Sequence, residues 1–323
     1  MMVMQPETID FATLVSSNIS ADTTTPEYNA GTTYAIGAVI KVPYAVDGST
    51  PIGPVGIYKS KVVDNVGNYP PYNCDPDDDT APWEYLGATN RWKWADTYIN
   101  TQTMADGTEA TDPGVIVMIL NADKCDSIGI AGCVGTKVTF TLTNPSEGVV
   151  DTTVMQLPNA AVEGTAWDYC FEDFVWEHDI VHDFPIFHQA TLEIRIEHEA
   201  EGEYPGCGFV VLGRVADVGI TKLDVGSGAT DYSEKDDTKS GDVFLKPGKY
   251  AKYMDLEVQI NTVEYDRIQQ IFTAIRGKAT VFVGNNPGTS FKSLIVFGFW
   301  YTFGMVLQGS VKSRCNLEIK GLT

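Results

Sequence analysis

The sequence predicts a mainly β, multidomain protein, and three observations lead there. Short β-branched and aromatic runs recur roughly every ten residues, separated by turn residues. The 30 glycines and 16 prolines supply those turns. One segment alone, "NTVEYDRIQQIFTAIRG", carries a clear helical period. A chain of 323 residues exceeds the usual size of one core, so two or three domains are expected.

Residues 1–21 read as an extended N-terminal arm, polar and without helical period. Such an arm is either disordered or pinned against a neighbouring subunit, and Ile9, Phe11, Leu14 and Val15 would be its anchors. The start, "MMVMQPETIDFATLV", lacks a basic region followed by a continuous apolar run and does not read as a signal peptide.

Residues 22–88 read as a compact module of short strands: "EYNAGTTYAIGAVIKV", "VGIYKSKVVDNVGNYP" and "APWEYLG". A unit this small needs large rings to build a core, and that is the first reading of its tyrosines and Trp83. The order Tyr34, Gly37, Val39, Tyr58, Pro70, Trp83, Gly87 resembles the small carbohydrate-binding modules of family 5/12 type appended to chitinases. The resemblance implies a glycan-binding role, for which Tyr28, Tyr58, Tyr69 and Trp83 are the candidates. The chain departs from that pattern after "IYKS": "VVDNVGN" stands where the family carries an exposed aromatic pair.

Residues 89–220 change to β-branched runs: "VIVMIL", "SIGIAG", "KVTFTLTN", "VVDTTVMQL", "ATLEIRIEH" and "GFVVLGRV". Their order resembles a galactose-binding-like β-sandwich, a jelly roll. Arg91, Trp92 and Trp94 lie at its start, and are read as packing residues at a domain junction or as a contact surface. Residues 221–249 are polar and Gly/Ser-rich, a linker or long loop ordered by a partner or not at all. Residues 250–323 are expected to form an α+β assembly domain. Its one clear helix has Asn261 as N-cap, Glu264 three residues on, an apolar face of Val263, Ile268, Ile271, Phe272 and Ile275, and Gly277 after its end. "SLIVFGFWYTFGMVL" is too short to span a membrane and reads as a hairpin, its aromatics either core or subunit interface.

Lys+Arg 22 against Asp+Glu 43 gives a net charge of −21, which repels a phosphate backbone, so nucleic acid is not an expected partner. Membrane insertion is not expected either. The six cysteines form no CxxC pair and are expected to be reduced and mostly buried. The four histidines, His178, His182, His188 and His198, sit amid "WEHDIVHDFPIFH". Spacing of His178 and His182 suits a metal on a helix, but Pro185 makes a polar loop the stronger reading. In "CDPDDDT" the aspartates lack the glycine and distal glutamate of a calcium loop, so a solvated turn is expected. No nucleophile, metalloprotease or phosphate-loop motif stands out, so no cofactor is expected and the chain is not read as an enzyme.

The whole order resembles tailed-bacteriophage and prophage tail virion proteins that carry such a module. The residues that carry it are the "G-x-TNRW-x-x-x-D" junction (Gly87, Thr89, Asn90, Arg91, Trp92, Asp96), Gln102, Thr103, and the ending Cys315, Leu317, Glu318, Gly321, Leu322. The resemblance implies a structural tail, tail-tip or fibre-attachment component, assembled in the host bacterial cytoplasm. Its partners would be other virion tail proteins, further copies of itself and host surface polysaccharide. The alternative is a stand-alone soluble carbohydrate-binding protein.

Overall fold

The computed structural model describes residues 1–105, 114–157, 179–198, 203–222, 225–237, 243–284 and 292–322. Among the described residues the protein is mainly β with one clear helix. It folds into two compact units, one formed by Met1–Glu7, Asp126–Gly129 and Val211–Thr323, the other by Thr8–Cys125 and Ile130–Val210. No helix among the described residues is long and apolar enough to cross a membrane.

The first unit is built on a curled sheet. Strand β1 (Met2–Pro6) lies between β14 (Phe209–Asp217) and β20 (Thr280–Val283), antiparallel to both. β20 pairs with β21 (Ile295–Val306), β21 with β22 (Lys312–Gly321), and β22 with β19 (Tyr250–Asn261). The short β15 (Ile220–Thr221) and then β16 (Gly226–Asp231) pair along the far side of β19. Alternation places Met254, Leu256, Val258 and Ile260 of β19 on one face, joined by Cys315, Leu317 and Ile319 of β22. The helix α1 (Tyr265–Ala274) lays Ile268, Ile271 and Phe272 on that face, where the Phe272 and Phe303 rings stack at 4.5 Å. Burying each such side chain contributes about 1.5–3 kcal/mol.

Several expectations change here. The supposed arm is not an arm at its start: Met1 and Val3 belong to the unit's core, and Thr280 donates its hydroxyl to the Met4 carbonyl at 2.6 Å. Five residues with a proline at the end carry too little periodicity to be recognised as an interior strand. Residues 14–17 are a strand as well, β2, described below. The supposed linker is largely strand: β16, then β17 (Glu234–Asp237) paired with β18 (Val243–Lys246), continuing into β19 as one ribbon. Its described side chains are almost all exposed, so no apolar alternation marked it. "SLIVFGFWYTFGMVL" is not a hairpin in itself but mostly the single strand β21. Gly298 permits close approach rather than a turn, since a Cβ there would lie 2.0 Å from the Lys320 carbonyl oxygen. Asn261 caps a short 3₁₀ turn at Thr262–Glu264 before α1, accepting from the Val263 N–H, and Val263 is 86% exposed instead of facing the core. Gly277, past the helix end, has φ +70° as expected.

The second unit holds a five-stranded antiparallel sheet in the order β10 (Gly148–Gln156), β9 (Lys137–Asn144), β12 (Thr191–Glu197), β7 (Val115–Asn121), β2 (Leu14–Ser17). Ile116, Met118, Leu120, Val138, Phe140, Leu142, Leu192, Ile194 and Ile196 alternate onto its buried face. The Asn18 side chain ties β2 down, accepting from Val117 N–H at 2.8 Å and donating to Val115 O at 2.7 Å. The shorter pieces are β6 (Thr103–Met104) with β13 (Gly206–Cys207), β11 (Ile180–Asp183), and β8 (Ser127–Ala131), which runs from the first unit into the second. A separate three-stranded sheet, β3 (Val39–Tyr44), β4 (Pro51–Ser60) and β5 (Trp83–Ala88), frames residues 22–88.

Because β1 is paired on both edges, removal of Met1–Glu7 is expected to abolish cooperative folding of the first unit. Loss of the unit's slow-exchanging amides in hydrogen exchange would check this; retained protection would contradict it.

Candidate functional site

The three-stranded sheet is too small to bury its residues by itself, and aromatic rings complete its core. Tyr34, Ile40, Val42, Tyr58, Tyr69 and Trp83 form that core, with Tyr28 and Tyr85 packed against it. Tyr28 stacks on Tyr34 at 6.0 Å and meets Tyr69 and Trp83 edge-on at 5.8 and 6.3 Å. The polar atoms of Trp83 and Tyr69 are tied inward. Trp83 Nε1–H donates to the Asn68 carbonyl at 2.9 Å, and the Tyr69 hydroxyl to that of Tyr44 at 2.7 Å. The buried Asn65 donates to Ser60 Oγ and the Pro82 carbonyl, both at 3.2 Å, closing the turn after β4.

Three of the four rings proposed for glycan contact are therefore packed away: Trp83 is 1% exposed, and Tyr58 and Tyr69 are buried too. Tyr28 is half-buried among the same rings. They do not form an exposed platform on that side, because together with Ile40 and Val42 they fill the module's interior.

The second unit has a cleft of about 720 Å³. Tyr58 and Trp83 line it, and sequence reasoning missed three further residues of its wall, Tyr85, Asp96 and Tyr98. Tyr58 and Tyr85 lie 5.2 Å apart, tilted, and Tyr85 and Tyr98 are stacked at 6.0 Å, so the three rings form a continuous row. Gly56 allows the two inner rings to close on β4, since a Cβ there would lie 2.8 Å from Tyr85 Cε2 and 2.9 Å from Tyr58 Cε2. Burial pushes the Tyr58 and Tyr85 hydroxyls, and the Cys74 thiol beside them, to higher pKa. Asp96 anchors the row. Its carboxylate accepts from the Tyr98 and Ala88 N–H groups at 2.9 and 3.3 Å and from the Thr101 hydroxyl at 3.3 Å. Burial still raises its pKa, outweighing those bonds and the charge of Lys93. The period-two spacing of Trp83 and Tyr85 on one strand was the signal available for Tyr85. Nothing local pointed to Tyr98.

Asn90–Ala95 forms a 3₁₀ turn that buries Trp92 and Trp94, stacked at 5.8 Å. Trp94 Nε1–H donates to Arg91 O at 2.8 Å, Arg91 Nη1 donates to Ile19 O at 2.9 Å, and Gly53 lies flat on the Trp92 ring. Arg91 thus ties this turn to Ile19 ahead of the module, Trp92 packs against Gly53 inside the module, and Trp94 closes the turn itself. Beside Trp92 is a second pocket of about 410 Å³ that includes Phe11, Lys41 and Asp22. Lys41 donates to the Asp22 carbonyl and pairs with Glu27 at 3.6 Å. Partial burial would raise the Asp22 carboxyl, but bonds from Thr25 and Thr24 outweigh it and bring it to about 2.

Of the remaining candidates, His178 and Cys170 lie outside the described residues. Among the described residues no group of three or more His, Cys, Asp or Glu side chains is placed to hold a metal. His182 stacks on Phe140 at 4.8 Å, and His188 pairs with Asp123 at 2.7 Å. In "CDPDDDT" the carboxylates cap their own turn: Asp75 accepts from Asp77 N–H and Asp78 from Thr80. The described cysteines are unbridged, and all but Cys74 are buried.

Trp83→Ala is expected to destabilise the module by about 3–5 kcal/mol, read as a lowered urea midpoint. Asp22 has its ordinary value when unfolded and a lower one when folded. Its contribution to stability is thus complete above the ordinary carboxylate range and fades as pH falls from there towards about 2. Replacing Thr24 and Thr25 with valine should return its NMR titration midpoint towards the ordinary value. No family model, curated protein or solved structure matches this chain.

Proposed function

We propose that this chain is a structural component of a bacteriophage virion tail that makes contacts with copies of itself and with other tail proteins, and presents a glycan-binding module to the host surface. In this reading residues 22–88 are a carbohydrate-binding-like module and the sheet β10-β9-β12-β7-β2 belongs to a galactose-binding-like jelly roll. The virion and its assembly in the bacterial cytoplasm follow from the sequence resemblance set out above.

One observation supports the subunit contacts most directly: the ribbon of 226–237 and 243–255 in the first unit. Beyond Tyr253, where pairing with β22 ends, the ribbon is two strands wide. Two strands are marginal in water without a third strand or a covering element. This ribbon also exposes Tyr232, Phe244, Leu245 and Tyr250. The same unit offers a matching surface. From Phe299 to Val306, β21 pairs only with β22 among the described residues, leaving a strand edge beside exposed Phe299, Tyr301 and Val306. An unpaired apolar edge is a template for a strand from another chain. The ribbon of one copy against the β21 edge of the next would satisfy both.

The stand-alone carbohydrate-binding reading is favoured only by the tyrosine cleft, which needs no second copy. Analytical ultracentrifugation of the chain together with mass spectrometry of purified particles separates the two. Expected are concentration-dependent oligomers and the chain's presence in particles, with Phe244→Glu plus Leu245→Glu giving a folded monomer. A wild-type monomer missing from particles would sink the tail reading, and a double variant that still assembles would remove the ribbon from it.

A further inference from the structure

We infer that the cleft of Tyr58, Tyr85 and Tyr98 is itself the saccharide site, and that its ligand is a neutral or amine-bearing pyranose chain. This rests on the glycan-presenting part of the reading above and not on its subunit contacts.

The ring row carries the argument. Tyr58 is buried, Tyr85 half-buried and Tyr98 39% exposed, so the row runs from the floor of the cleft to its rim. Successive rings are 5.2 and 6.0 Å apart. The exposed parts of these rings make an apolar strip along the wall, which the C–H groups of linked pyranoses match. The rings are also held in place before any ligand arrives: Asp96 fixes the backbone at Tyr98 and at Ala88, and Gly56 seats the other two. A preformed wall lowers the ordering cost of binding.

The polar lining selects the chemistry. Lys61 stands against Asp75, Glu84 and Asp96, one cation against three carboxylates, a formal −2. That balance rejects phosphates, uronic acids and other anions. The exposed carboxylates of Asp75 and Glu84 are acceptors, so the ligand must bring donors. Sugar hydroxyls and a glucosamine ammonium do so. A proline-rich peptide could lie on the same rings, but its backbone offers carbonyl acceptors to those carboxylates, a mismatch of polarity. The same wall accounts for the missing aromatic pair after "IYKS", since its rings come from β4, from β5 and from the loop after Ala95.

The test uses the full chain with tyrosine-selective ring labels in NMR. It is titrated with cellotriose, maltotriose, chitotriose and the glucosamine trimer, with trigalacturonic acid and a proline-rich basic peptide as comparisons. Expected is saturable movement of the Tyr85 and Tyr98 rings with at least one neutral or amino trimer and none with the anionic one. Tyr98→Ala should weaken that binding about tenfold, while Tyr72→Ala, an exposed ring outside the cleft, leaves it unchanged. Glu84→Lys, at an exposed position, should abolish it with the fold intact by circular dichroism. No ring movement with any neutral or amino trimer at about 10 mM overturns the inference, as does preference for the anion or the peptide. Saccharide binding by a chain absent from particles would leave this inference standing and remove the tail reading; particle incorporation without binding would do the reverse.

Discussion

The first unit depends on a pairing across more than two hundred residues. β1 sits between β14 and β20, with Met4 opposite Val215 and Val3 opposite Phe282. Without it β14 has no link to the sheet that continues through β20, β21, β22 and β19. Met1 and Val3 would also leave the core that α1 covers. Such a contact brings no reward until a long loop has closed, which costs chain entropy before the pairing forms. The hydroxyl of Thr280 on the Met4 carbonyl fixes the register at the point where a slip would turn every side chain over.

The aromatic residues of the second unit divide between two tasks according to what else is available. A three-stranded sheet has few aliphatic side chains, so Tyr34, Tyr69 and Trp83 become its interior and direct their polar atoms to backbone carbonyls and amides. The rings left over, Tyr85 and Tyr98, extend from Tyr58 to form the cleft wall. Trp83 belongs to both, lining one and filling the other, so its packing and the shape of the cleft are a single constraint. Asp96, from the segment after the module, holds that wall in place through the amides of Tyr98 and Ala88.

Charge is interspersed along the exposed edges of the first unit. The ribbon intersperses Lys235, Lys246 and Lys249 with Asp231, Glu234 and Asp236, and the Lys246–Asp236 pair spans it. On β22 the outward Glu318 takes the Thr302 hydroxyl, and the Lys320 ammonium lies 3.2 Å over the Tyr301 ring. These pairs set charge beside the exposed apolar residues at the edge of β21.

The sequence by itself determined the β class, the one helix with Ile268, Ile271 and Phe272 inward, the short strands of the 22–88 segment and the need of that segment for ring packing. Each of these rests on local periodicity or on composition, which one chain carries within a few residues. Tertiary structure decided the rest. Whether Met2–Pro6 is an arm or an interior strand depends on partners two hundred residues away, and whether Gly298 turns the chain or admits Lys320 depends on a neighbouring strand. The polar ribbon reads as a linker in the sequence because both its faces meet solvent and no alternation records its pairing. Which tyrosines are core and which line a cleft depends on Tyr98, brought to Tyr85 by a turn whose own residues give no sign of it. Side-chain burial is a property of what packs from elsewhere, and one stretch of sequence does not contain its partners.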